Sequence, residues 1–353
     1  MSRSADSLLV AVLSRAHVHA DGYIELLAET AGVDLMVCDP DGPPAADRGP
    51  RGLPAGARYV DGYREVFALR PDAVVIMSET SRHRELIEPA AESGAAILCE
   101  KPLATTAADA RAIAAVVGGR GVPFMIAHPV RFMAACSELI GRARAGQLGE
   151  LVAVRGTNNG KLPAERSWFV EPEWSGGGAL FDHVVHVADL IDALTDARAA
   201  SVSAITNRML YADRVGATVA DVLGTGGPET GGLVLINYAS GLVAAIDCSW
   251  SLSASAPSWG GLTINVTGTA GEVFVDAFRP RVRGIEAGSG RALELPYGLG
   301  GDASLIDAFL DVVRGGRPAR PDLGTALRTL AVVLAAAESA ARGRSVDVPE
   351  LGW

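Results

Sequence analysis

Lysine is almost missing from this 353-residue chain: Lys101 and Lys161 stand against 29 arginines. Arginine supplies a plain positive charge and keeps its proton, whereas a desolvated lysine can give its proton up. The two lysines are therefore candidates for proton transfer, with chance retention as the alternative. Cysteine is also scarce. Cys38, Cys99, Cys136 and Cys248 lie far apart, form no CxxC, and three of them sit in apolar runs where a thiol packs as a small hydrophobe. No disulfide framework follows, and the usage fits a reducing cytoplasm. Positive charge is in deficit, with a net charge of −10 and no basic cluster, which argues against a nucleic-acid partner. The short basic run at 281–283 reads as a solvated loop. No apolar run approaches the roughly 20 residues that span a bilayer. The apolar stretch near the start lacks a small-residue cleavage site and reads as a first strand, not a signal peptide or a membrane anchor.

The first ~125 residues alternate five-residue apolar runs with helical segments. Strands are expected at 8–13, 34–38, 73–77, 95–100 and 123–127, with helices around 62–69, 83–93 and 106–117 between them. This pattern predicts a parallel, doubly wound sheet of the Rossmann type covered on both faces. The rhythm then changes. A helix around 131–145 precedes a strand at 151–157, and a further helix begins after the glycines at 176–178. From about 199 to 276, strands with Gly/Asp/Ser turns follow one another, one of them at 219–224, which predicts an α+β domain with a mostly antiparallel open sheet. Two helices, about 302–314 and 323–342, close the chain. The division expected is a dinucleotide-binding domain over 1–127 and a substrate-binding and oligomerisation domain over 128–353, its last helix packing back on the first.

In a doubly wound sheet, ligands bind at the carboxyl ends of the strands. The residues there are Ser14, Arg15, Ala16, His17 and His19 after the first strand and Asp39 after the second. Ser78, Glu79, Thr80 and His83 follow the third, Glu100 and Lys101 the fourth, and His128 the fifth. An acid at the end of the second strand can accept both ribose hydroxyls of an adenosine and repels a 2′-phosphate, so Asp39 favours NAD over NADP. The first loop lacks the GxGxxG through which a backbone approaches a pyrophosphate. A helix N-terminus can still meet the phosphates, helped by Ser14 and Arg15.

The EKP tripeptide at 100–102 and the segment GGGALFDHVVHVAD at 176–189 carry the sharpest signal. With the segments at 71–110 and 131–154, they resemble the Gfo/Idh/MocA family of sugar and polyol dehydrogenases over nearly the whole chain. The resemblance implies that Lys101, Asp182 and His186 line the reaction centre. It also implies a homodimer or homotetramer that covers the open sheet face. Asp182 and His186 are four apart on a helix and share a face. His186 can take the proton when a secondary alcohol is oxidised, or can simply be a core histidine. Lys101 can steady the developing alkoxide, and Asp182 can bind a neighbouring hydroxyl or orient the imidazole. The glycines at 176–178 would let the helix start approach the substrate. His128, Lys161, Arg166, Trp168 and His183 are candidate substrate contacts, and Trp168 and Trp174 could stack on a sugar face or pack in a lid. Asp189 continues the same helix face or pairs locally.

The reading is an oxidoreductase that moves a hydride between NAD, or alternatively NADP, and a hydroxyl or ketone of a sugar, inositol or related polyol, with no metal assigned. Three other readings remain open at this stage. The HxH after the first strand and the DHxxH segment could serve a metal-dependent hydrolase or lyase. The same fold could recycle its cofactor while cleaving or isomerising a glycoside. It could also be a non-catalytic cofactor sensor.

Overall fold

The computed structural model describes residues 7–40, 52–163, 166–210, 227–279, 281–285, 288–296 and 300–352. The strand expected at 219–224 lies outside them. The first sheet has six strands in the order β3-β2-β1-β4-β5-β6, all paired in parallel. They are β1 (Leu8–Leu13), β2 (Val33–Cys38), β3 (Arg58–Tyr59), β4 (Ala73–Ile76), β5 (Ala96–Glu100) and β6 (Phe124–Ala127). Five of these match the apolar runs. The two-residue edge strand β3 does not, because it is too short and too polar to give a pattern.

Side chains alternate across a strand, so each run of buried residues feeds two cores. Val10, Val12, Val37, Val75 and Leu98 face helix α1 (Ala20–Glu29) and helix α8 (Gly301–Val313), which contributes Leu305, Ile306 and Phe309. Leu13, Met36, Ile76, Ile97 and Ile126 face the other way. There they join Leu86 and Ile87 of α3 (His83–Ser93) and Ile113 and Val117 of α4 (Ala107–Arg120). Among the described residues, α2 (Tyr63–Ala68) is the remaining helix of this half, and the short α6 (Pro172–Ser175) lies in the second half. Helix α8 thus returns to cover one face of the first sheet, while the last helix (Leu323–Arg342), expected to pack back there, packs mainly on the second sheet and only touches β6 and α4. All four cysteines are free and buried.

The second sheet has seven strands in the order β12-β11-β7-β10-β9-β8-β15. These are β7 (Leu151–Lys161), β8 (Ala199–Asn207), β9 (Gly231–Tyr238), β10 (Val243–Leu252), β11 (Leu262–Gly268), β12 (Gly271–Asp276) and β15 (Val346–Asp347). Its pairs are antiparallel except β7 with β10. Residues 281–283, read as a loop, form part of β13 (Arg281–Ile285), which pairs with β14 (Ala292–Pro296) in a small hairpin. One face of the large sheet packs on α7 (Val185–Leu194) and α9 (Leu323–Arg342), with α5 (Ala134–Arg144) alongside. Along β9 the pattern is strict: Val234 and Ile236 are buried while Leu233 and Leu235 are more than half exposed. Among the described residues one helix, α9, is long and apolar enough to cross a membrane, and it lies packed in the core.

Candidate active site

The site forms where the carboxyl ends of the first sheet meet helix α7 and strand β7. Before α7 the backbone widens into a π turn (Leu180–Val184), a feature that re-aims side chains and recurs at functional sites. The segment starts at Gly178, where a Cβ would stand 1.9 Å from the Glu229 carbonyl oxygen. The Glu229 carboxylate accepts the N–H groups of Gly178 and Leu180 at 2.9 and 3.0 Å, capping the turn. Gly176 and Gly177 pack against the ring of Phe181. These glycines make room for the protein's own chain, and Gly177 and Gly178 also line a small crevice with Lys101 and Asp182.

Lys101 and Asp182, 81 residues apart, meet here: Lys101 Nζ donates to Asp182 Oδ1 at 2.9 Å. The other oxygen of Asp182 accepts the Trp250 indole N–H at 3.0 Å and lies 3.2 Å from His183 Nε2. Burial opposes ionisation of Asp182, but Lys101, His183 and Trp250 hold its pKa well below the usual carboxylate range. Burial, aided by Lys101 and His128, pushes the His186 pKa well below its ordinary 6.5. Lys101, Asp182, His183 and His186 line one cavity of about 380 Å³ together with His19, Asn158, Trp259, Phe278 and Asp302. Trp259 and Phe278 are its aromatic wall. The His183 ring lies over Gly160, where a Cβ would come within 2.8 Å of it, and the His183 carbonyl accepts from Asn158 Nδ2 at 3.1 Å. A second cavity, of about 270 Å³, lies between α7, α9 and the 197–200 and 348–352 segments and has no lysine or histidine in its lining.

The other sequence candidates fall elsewhere. His128 is buried behind His186, with ring centroids 6.1 Å apart, and Asp189 behind it is clamped by Arg131 through both carboxylate oxygens. Trp168 is tied by its indole N–H to the Ala16 carbonyl at 3.0 Å and stacks on Phe169 at 3.9 Å. It therefore clamps the first loop and does not line the cavity. Lys161 ends β7 outside the cavity lining, and Arg166 and Trp174 are also outside it. The cavity residues Asn158, Trp259, Phe278 and Asp302, and Trp250 behind Asp182, were not among the sequence candidates and carry no local motif.

In the first loop Ser14 takes φ +70°, the left-handed conformation that usually calls for glycine. Its hydroxyl donates to Asp39 Oδ1 at 3.2 Å, and the Arg15 N–H donates to the same oxygen at 3.0 Å. The Ala16 N–H donates to Ser14 Oγ, and the His17 N–H to the Met77 carbonyl. The loop thus supplies with its own side chains the partners that a glycine loop leaves open. His17 and His19 project from it towards Glu100: His19 Nδ1 is 2.9 Å and His17 Nδ1 3.5 Å from Glu100 Oε1. Burial keeps His17 well below its ordinary pKa. Burial disfavours the charge of His19 and Glu100 too, but Glu100 raises the His19 pKa, while His17, His19 and Lys101 together lower that of Glu100. Ser78 and Glu79 are buried at the end of β4, and Thr80 shares a small crevice with Lys101 and Trp168. His83 Nδ1 faces the Leu103 carbonyl at 3.2 Å.

A dinucleotide fits this arrangement. Asp39 stands at the end of β2, and helix α1 opens with no side-chain cap on its N–H groups. Arg15 lies beside that helix start, held by Asp21 at 2.6 Å. An uncapped helix start next to an arginine can take the place of a glycine cradle for a pyrophosphate.

Comparison with known proteins agrees. Residues 36–128 match a family model described as an oxidoreductase family with an NAD-binding Rossmann fold, and residues 138–274 match the GFO/IDH/MocA C-terminal domain. D-apiose dehydrogenase of Paraburkholderia graminis is 26% identical over 96% of this chain and 88% of its own. Levoglucosan dehydrogenase of Pseudarthrobacter phenanthrenivorans is 26% identical over 80% and 81%. Among solved structures, GenD2 from gentamicin A biosynthesis, in complex with NAD, superposes with a TM-score of 0.79 at 24% identity, covering 99% and 98% of the two chains. A myo-inositol dehydrogenase from Corynebacterium glutamicum does so with 0.77 at 22%, covering 97% and 99%. With both halves matched in order and the strand ends, lysine and capped helix in place, this chain belongs to the Gfo/Idh/MocA family of oxidoreductases with an NAD-binding Rossmann fold.

Proposed function

We propose that this enzyme interconverts a secondary hydroxyl and a ketone on a monosaccharide- or cyclitol-sized substrate, with NAD as cofactor. The observation that carries the reading is the cavity of about 380 Å³, which brings Lys101, Asp182 and His186 together under an aromatic wall. Its size falls in the range of small-molecule sites, roughly 300–1,000 Å³. Its mixture of polar groups with Trp259 and Phe278 suits a ring that is polar at its edge and apolar on its face.

The bound nicotinamide would take or give the hydride, with Asp39 on its adenosine ribose and the start of α1 with Arg15 on its phosphates. The chain's own groups handle the proton. His186 is kept neutral by burial and so is ready to accept the hydroxyl proton at neutral pH. The Lys101 ammonium is fixed by Asp182 and stabilises negative charge developing on the substrate oxygen. Asp182 is itself fixed by Trp250 and His183, so the pair is set before substrate arrives.

We further propose that the chain works as a homodimer or homotetramer. Ile205, Leu233, Leu235 and Val243 are each about half exposed or more on the outer face of neighbouring strands β8, β9 and β10, with Phe274 further along the sheet. Exposed apolar side chains grouped in this way suit an interaction surface.

The test of the main reading is titration of the purified chain with NADH and NADPH, followed by energy transfer from tryptophan to bound nicotinamide. Saturable NADH binding that weakens in Asp39→Ala is the expected result. A screen of sugars and polyols should then give NADH formation that Lys101→Ala and His186→Ala abolish. Absence of binding of either nucleotide would overturn the reading.

A further inference from the structure

The first loop and the end of β5 bring together three side chains that the dehydrogenase reading does not use as a set. One ligating atom each of His17, His19 and Glu100 lie within 4.8 Å of one another. The Glu100 Oε1 atom is 2.9 Å from His19 Nδ1 and 3.5 Å from His17 Nδ1. A tetrahedral ion with bonds of about 2.0–2.1 Å to nitrogen and oxygen holds neighbouring donors roughly 3.3 Å apart; the two separations to Glu100 bracket that value, and the two imidazole donors lie within 4.8 Å of each other.

The cluster is also enclosed: the His17 and Glu100 side chains are 1% and 0% exposed, with His17 Nδ1 3.5 Å from Glu100 Oε1. A buried carboxylate calls for positive charge beside it, which a protonated His19 or a bound cation supplies. The second oxygen of Glu100 is held by the Lys101 backbone N–H at 3.0 Å. This outer contact orients the carboxylate, as second-sphere partners do in metal sites. Asp302 adds negative charge near His19. The His19 side chain is 26% exposed and lines the substrate cavity, so the site is closed by protein on one side and open towards the cleft on the other.

We infer that His17, His19 and Glu100 form a binding site for one divalent first-row transition ion of the zinc class, with an open coordination position facing the cleft. Two imidazoles and one carboxylate with a free position are a donor set such ions take. The ligands are distinct from the Lys101–Asp182–His186 group, while His17 and Glu100 also stand at strand ends where the cofactor is expected. His19 and Lys101 line the same cavity, so an ion here would sit on its wall near the lysine.

The experiment uses the full chain, stripped with a chelator and dialysed. Cobalt(II) is titrated in while its visible absorption is followed, and zinc is then added to displace it. One cobalt per chain is expected, with the intense bands of a four- or five-coordinate ion that zinc removes stoichiometrically. His17→Gln and Glu100→Gln should each weaken binding by about 100-fold or more, while His83→Asn, whose ring faces the Leu103 carbonyl, should not. X-ray absorption of the zinc-loaded unmodified chain should show a first shell of nitrogen and oxygen with two imidazoles, a readout that needs no variant to fold. Binding that is weak, not stoichiometric or equally strong in both variants would overturn the inference and leave a plain His19–Glu100 ion pair. Cofactor titration of the same stripped sample reports on the dehydrogenase reading separately.

Discussion

His128 offers a direct test of how the interior behind the active site is built. Its side chain is 1% exposed, and neither ring nitrogen has a hydrogen-bond partner among the described residues. Asp189 Oδ1 is 3.7 Å from Nε2, but Arg131 holds that carboxylate. Burial first, then the charges of Arg131 and Lys101, push the His128 pKa well below 6.5, against a weaker opposite pull from Glu100. The folded protein thus keeps this ring neutral where the unfolded chain, with a pKa near 6.5, takes a proton. As pH falls through 6.5 the unfolded state binds more protons, and stability falls until the folded pKa is reached. Between about pH 7.5 and about pH 5.5 one such histidine removes about 1.4 kcal/mol. Replacing His128 by leucine, an apolar side chain of similar size, removes that titration. Stabilities of the parent and His128→Leu should be measured by urea unfolding across this range. The leucine variant should gain about 1.4 kcal/mol relative to the parent on going from the upper to the lower pH, whatever the offset at high pH. A difference between the two proteins that stays constant with pH would show that His128 is not held neutral, and the account of the buried pocket would fail.

Other outcomes follow from the same geometry. Asp182→Asn keeps the shape but turns an acceptor into a donor towards Lys101 or Trp250, and kcat/KM for alcohol oxidation should drop by about 10²–10⁴-fold with cofactor binding retained. Because burial keeps His186 neutral, the rate should be level from about pH 7 upward on this group's account. It should decline only well below 6.5, and a steep loss centred at or above 6.5 would count against His186 as the base. Gly178→Ala forces a Cβ onto the Glu229 carbonyl and should cost about 1–3 kcal/mol in chemical unfolding. Leu235→Arg places a charge in the exposed apolar face and should shift the mass seen by light scattering to the monomer. An unchanged mass would remove that face as the interface.

The sequence determined the parts of this protein that depend on neighbours along the chain. Alternating apolar runs placed five of the six strands of the first sheet, because a strand buried on both faces must be apolar at every position. The near absence of lysine, and the four-residue spacing of Asp182 and His186, pointed to the group that lines the cavity. Tertiary structure decided the rest. Asp302 opens a helix 201 positions beyond Lys101 that returns to the first sheet, and no local pattern links it to the cleft. The aromatic wall of the cavity is Trp259 and Phe278 and not Trp168, because the Trp168 indole is spent on the Ala16 carbonyl across 152 residues. The glycines at 176–178 were legible as a requirement for room, but only the fold shows that Phe181 and the 228–229 segment fill it. The meeting of His17 and His19 with Glu100 was equally out of reach. An HxH fixes two imidazoles on one loop, whereas their carboxylate partner is chosen by which strand end lies opposite, and the order of strands in a sheet is set by packing between distant segments.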